Sequence, residues 1–112
     1  MGDELPVVVI HREGSWMKLP DGKFVDMKAH RALSNIVLAL AAERIAVPNA
    51  AVPAERLVQS GWPGESILPK AARNRLSVAL STLRKLGLAD AIIKTGKGYM
   101  LNPSITLRVE AA

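Results

Sequence analysis

Apolar residues gather in this chain first as short β-branched runs, then as helically spaced stripes, and the change divides it into segments. Val7 to His11 is strongly β-prone, and Trp16 to Leu19 and Lys23 to Met27 flank a turn built on Pro20, Asp21 and Gly22. An Asp-Gly step between extended runs predicts a hairpin. Strands this short cannot bury their apolar faces alone, so the small antiparallel sheet they form is expected to lean on the helical segments beyond it. From Lys28 to about Ile45 the positions Ala29, Ala32, Leu33, Ile36, Val37, Leu40 and Ala41 recur at three and four, which predicts an amphipathic core helix.

Pro48 ends that helix, and Pro53 suits the first turn of a second one, where a missing N–H is not needed. The second helix is expected to run to about Ser60, with Leu57 and Val58 inward, Gly61 as its stop and Trp62 anchoring the turn. Gly61 through Pro69 reads as an interhelical loop. A third helix starts near Pro69 and continues to Leu86, where Gly87 supplies the stop. Ala91 to Lys94 and Tyr99 to Leu101 read as strands joined at a basic tip of Gly96, Lys97 and Gly98, while the tail through Val109 is open between a further strand and a frayed end.

Composition narrows the class. The 112 residues fit one domain, and 49% hydrophobic against 22% charged residues, with mean hydropathy +0.17, predicts a folded chain. No cysteine is present, so neither a disulfide framework nor a thiolate metal site is expected, and a reducing cytoplasm is the expected setting. The longest apolar run, Ile36 to Ala42, is far short of the roughly 20 residues of a membrane span. The net charge of +5 is unevenly placed: from Ser66 to Val109 there are eight basic residues against the lone acid Asp90, whereas the rest holds seven basic and nine acidic residues. That asymmetry suits a polyanion, although basic helices are also often merely solvated faces.

The third helix concentrates the charge. Ala72, Leu76, Ala79, Leu80, Leu83 and Leu86 form its inward stripe. Lys70, Arg73, Asn74, Ser77, Ser81 and Arg84 line the outward face, with Arg75, Val78, Thr82 and Lys85 on a neighbouring flank, and the helix itself supplies no acid to either. A solvated helix ordinarily mixes Glu with Lys at spacing four, gaining about 0.2 to 0.5 kcal/mol per pair. Ser, Thr and Asn are mediocre helix formers at mid-face, but short polar groups approach base edges closely. Val78 fits either a thymine methyl or packing on a neighbouring strand. Helix, loop, longer helix and basic hairpin together have the proportions of a helix-turn-helix with a wing. The expected fold class is therefore α+β, a winged helix-turn-helix over residues 1–112, with strands over about 7–27, a three-helix core over 28–86 and the wing over 90–101.

In this region the chain resembles the winged-helix effector domain of OmpR/PhoB-type response regulators. The resemblance is carried by Asn74-Arg75-Leu76-Ser77-Val78-Ala79-Leu80-Ser81-Thr82-Leu83-Arg84-Lys85, followed by Ile92-Ile93-Lys94-Thr95-Gly96-Lys97-Gly98-Tyr99, and by Leu57-Val58-Gln59-Ser60-Gly61-Trp62. It implies binding to promoter DNA, often as tandem copies on direct repeats and so as a dimer on DNA, with the loop after helix two, here Pro63 to Leu68, touching RNA polymerase in some members. Ala79, Ser81 and Thr82 stand where many members place His or Arg, which shifts the expected contacts toward Arg73, Arg75 and Arg84. The family's receiver domain has no counterpart here, so control is expected from a partner, from another part of a longer protein, or not at all.

On this reading Lys70 and the third helix N-terminus, Arg73, Arg75, Arg84, Lys85, Lys94 and Lys97 hold the backbone of double-stranded DNA, and Asn74, Ser77, Val78, Ser81 and Thr82 face bases. No cofactor and no metal are expected. The rival reading is a winged helix turned to protein contact. An enzyme has the least support: His11 and His30 lack a paired nucleophile or carboxylate and are expected at the surface, and Gly96-Lys97-Gly98 is too short for a phosphate-binding loop. Trp16, Trp62 and Tyr99, beside apolar neighbours, are expected in the core.

Overall fold

A computed structural model describes residues 5–111. Strands β1 (Val7–His11), β2 (Trp16–Lys18) and β3 (Phe24–Asp26) come first, then helices α1 (Arg31–Ala46), α2 (Ala54–Gly61) and α3 (Pro69–Leu83). The chain closes with strands β4 (Ile92–Thr95), β5 (Gly98–Leu101) and β6 (Thr106–Glu110), giving an α+β fold with two sheets. Among the described residues no helix is long and apolar enough to cross a membrane.

The first sheet pairs its three N-terminal strands antiparallel, as expected, and gains a fourth, parallel strand from the tail. Its order is β3-β2-β1-β6, with β1 antiparallel to β2 and parallel to β6. The tail therefore adds a strand, and it reaches β1 because Asn102 organises the approach. The Asn102 side chain donates to the Asp90 carbonyl and accepts from Ser104 N–H, both at 2.9 Å, while Arg44 of α1 donates to the carbonyls of Asn102 and Ile105. These bonds satisfy backbone groups of a turn that has no ladder partner.

The helix starts follow local chemistry. Lys28 to His30 form a turn instead of helix, because the Asp26 carboxylate accepts from Lys28 N–H at 2.9 Å, so α1 begins at Arg31 and Ala29 is exposed. Pro53 and Pro69 pre-set φ where α2 and α3 begin. At its far end α3 runs on through Arg84 and breaks in a kink at Gly87, whose φ of 131° is a conformation that favours glycine.

One core runs through both sheets. Ile10 and Met17 of the first sheet, Ile36 and Leu40 of α1, Leu57 of α2 and Leu80 and Leu83 of α3 are all fully buried, and Ile92 and Leu101 of the β4–β5 hairpin join them. Trp62, Leu86 and Tyr99 are half-buried against this cluster. Trp16 is also half-buried, but it lies between His11 and Phe24 at ring separations of 5.7 and 5.4 Å.

His11 corrects its expected surface position. It is buried, and its Nδ1 accepts from Glu13 N–H at 3.1 Å and from the Ser15 hydroxyl at 3.0 Å, which leaves Nε2 to donate to the Ala111 carbonyl at 3.2 Å. His30 is exposed just before α1. Ser34 is buried within α1's apolar face, where its hydroxyl donates to the Gly14 carbonyl at 2.7 Å.

Candidate functional site

Leu76, Ala79, Leu80 and Leu83 are the buried residues of α3, so helical geometry turns the opposite side outward. Lys70, Arg73, Asn74, Arg75, Ser77, Val78, Ser81 and Lys85 are exposed, while Thr82 and Arg84 are half-buried. Val78 is 60% exposed and does not pack on a strand. Leu86, expected inward at the helix end, is only half-buried, next to the kink where the helix breaks at Gly87.

Two clefts flank the exposed face. The first, about 610 Å³, lies between α3 and the β4–β5 hairpin and brings together Arg73, Ser77, Lys94 and Lys97. Its position is set by a backbone bridge: Val52 donates to Tyr99 at 2.7 Å and Tyr99 donates back at 3.0 Å, which ties the hairpin to the segment leading into α2. Lys97 sits at the hairpin tip, where its N–H donates to the Thr95 hydroxyl at 3.1 Å. The second cleft, about 530 Å³, lies on the other flank and gathers Asn74, Arg75, Val78 and Thr82 beside Leu33 and Trp62. Lys70, Ser81, Arg84 and Lys85 line neither cleft.

The electrostatics are less one-sided than the helix sequence implies, because acids arrive from other segments. Arg75 donates to Glu65 at 2.9 Å, and its guanidinium carbon lies 5.4 Å from the centroid of the Trp62 ring. Both partners of this ion pair are substantially exposed, so it holds Arg75 in place more than it stabilises the fold. Glu55 of α2 enters the cleft that holds Arg73, Lys94 and Lys97. Neither acid was legible as a site residue: Glu65 lies in a loop ten positions from Arg75, outside any helical spacing.

No family model, curated protein or solved structure matches the chain. What the arrangement can do chemically therefore rests on its own geometry.

Exposed cations on two elements, with Glu55 and Glu65 among them, form a mixed but predominantly basic surface. The first turn of α3 contains no acid and no side chain caps its N–H groups, while Glu55 and Glu65 from other segments line a third cleft, about 450 Å³, beside Pro69 and Arg73. Thr82 is the exception among the polar residues, since its hydroxyl donates within the helix to the Val78 carbonyl at 3.0 Å. The Pro63 to Leu68 loop is exposed except for half-buried Ile67, and Leu68 is 78% exposed.

Proposed function

We propose that the chain is a double-stranded DNA-binding module of a transcription regulator, acting by binding and not by catalysis. On this reading it is a winged helix-turn-helix in which α3 enters the major groove and the β4–β5 hairpin is the wing on the flanking backbone or minor groove. The observation that carries it is the convergence of Arg73 and Ser77 on α3 with Lys94 and Lys97 on the hairpin around one cleft. Cations on two separate elements, with an uncapped helix N-terminus beside them, match a backbone that runs past both.

The roles then divide by chemistry. Lys70, Arg73, Arg84, Lys85, Lys94 and Lys97 neutralise phosphates, whereas Asn74, Ser77, Val78 and Ser81 reach base edges from the exposed face. Arg75 takes part once Glu65 yields it, and Thr82 contributes its methyl and a lone pair more readily than its hydroxyl proton.

The deciding experiment is selection from a pool of random duplex DNA at two salt concentrations. An enriched motif whose affinity falls with a log-log salt slope near about −5, as expected for roughly five to seven phosphates, supports the reading. Absence of enrichment sinks it.

The exposure of Leu68 and Val78 favours one second reading, protein contact through the 63–68 loop or through α3 itself. RNA polymerase is the partner proposed for the loop. A largely apolar contact of this kind changes little with salt, which separates it from phosphate binding.

A further inference from the structure

The four-stranded sheet ends on β6, and among the described residues no strand pairs with its far edge. Open edges template further pairing, and proteins blunt them with short strands, prolines, bulges or charge. The other edge is blunted by brevity, since β3 has three residues. β6 has five, contains no proline, and keeps an unbroken register with β1 from Val7↔Thr106 to His11↔Glu110.

Its backbone bonding shows which groups face outward. Thr106 N–H donates to the Pro6 carbonyl and the Glu110 carbonyl accepts from Arg12 N–H, both at 2.8 Å. Alternate residues of a parallel strand turn their N–H and C=O to the same neighbour. Thr106, Arg108 and Glu110 therefore face β1, and Leu107 and Val109 direct theirs to the open edge. By the register, Leu107 and Val109 share the core face of the sheet with Val8 and Ile10, yet Val109 is 42% exposed. The apolar layer ends there uncovered.

We propose that β6 pairs antiparallel with β6 of a second copy about a twofold axis through Val109, joining the two sheets into one. A twofold axis normal to the sheet keeps both cores on the same side, which sets Val109 opposite Val109 and lets the two exchange both outward hydrogen bonds. The same register sets Arg108 of each copy opposite Glu110 of the other, in the pairs whose side chains approach most closely. Of the other registers that keep the outward groups paired, the one centred on Arg108 sets two guanidiniums against each other, and the one centred on Leu107 sets Arg108 against Thr106 and leaves both charges unpaired. Charge thus selects the Val109 register, and the occupant it fits is this chain itself. The proposal stands independently of DNA binding.

Sedimentation velocity of the full chain without DNA, across a rising concentration series, tests it. The weight-average mass is expected to climb toward twice the monomer. Arg108→Glu and Glu110→Arg should each weaken association about tenfold, and the double exchange should restore it. Circular dichroism reports folding of each variant, and Val109→Lys, which adds a charge at the edge, should keep the chain monomeric and folded if a charge reversal proves unstable. A wild-type chain that stays monomeric throughout overturns the proposal. So does association that Glu110→Arg leaves unchanged, because in the Arg108-centred register that residue meets Thr106 instead, and so does failure of the double exchange to restore pairing.

Discussion

The α-carbon of Gly98 packs directly against the carbonyl of Val52, so closely that a Cβ at this position would collide with that backbone. Its φ of 142° is also one that residues other than glycine rarely adopt. Gly98→Ala should cost roughly 2 to 4 kcal/mol and lower the melting temperature by about 10 °C or more in calorimetry. An unchanged melting temperature would mean that the hairpin is not held by its bridge to Val52.

Glu65 pairs with Arg75 in the free protein, so on the proposed DNA-binding reading it competes with phosphate for that guanidinium. Because both ends of the pair are exposed, Glu65→Gln should alter stability by less than about 1 kcal/mol. It should nevertheless tighten duplex binding, by about two- to fivefold in fluorescence anisotropy at low salt, since it removes a negative charge beside the helix face. Weaker binding would place Glu65 among the groups that hold the ligand.

Lys97 and Asn74 are expected to fail in different ways. Lys97→Ala should weaken binding to all sequences about equally and make the salt slope shallower by about 1. Asn74→Ala should instead lose about 1 to 3 kcal/mol on the selected motif and little on unrelated duplex. Titrations of both variants against motif and scrambled DNA check this, and matching losses would remove the division between phosphate and base contacts.

Arg44 holds the approach to β6 by donating to the Asn102 and Ile105 carbonyls. Arg44→Met keeps much of the aliphatic stem and removes both bonds, which should destabilise the chain by about 1.5 to 3 kcal/mol. Hydrogen exchange should show faster loss of protection at Thr106 and Arg108 than at Ile36 or Leu40 of α1. Uniform loss across the chain would show that β6 opens only with the whole fold.

Much of the helical layer was legible because its signals are local. Of the positions whose spacing predicts the buried face of α1, Leu33, Ile36, Val37, Leu40 and Ala41 are buried, Ala32 is half-buried and Ala29 lies before the helix, exposed. Of the stripe predicted for α3, Leu76, Ala79, Leu80 and Leu83 are buried and Ala72 and Leu86 half-buried, and the stripe implies the exposed cations opposite. Such patterns are readable because the α-helix repeats every few residues whatever lies around it. The burial of His11 and Ser34 was not readable, since each is tolerated only through partners that the fold supplies: Ser15 and the backbone of Glu13 and Ala111 for one, the Gly14 carbonyl for the other.

By itself, then, the sequence determined three helices, the hairpin with its basic tip and the outward side of α3, all from periodicity, proline and glycine. Tertiary structure alone decided that β6 lies parallel to β1, pairing Val7 with Thr106 near opposite ends of the described chain. It also decided that Glu65 meets Arg75 and that Glu55 enters the cleft of Lys94 and Lys97. Parallel pairing and contacts from loops depend on how distant segments close upon one another, and no short-range pattern encodes that closure.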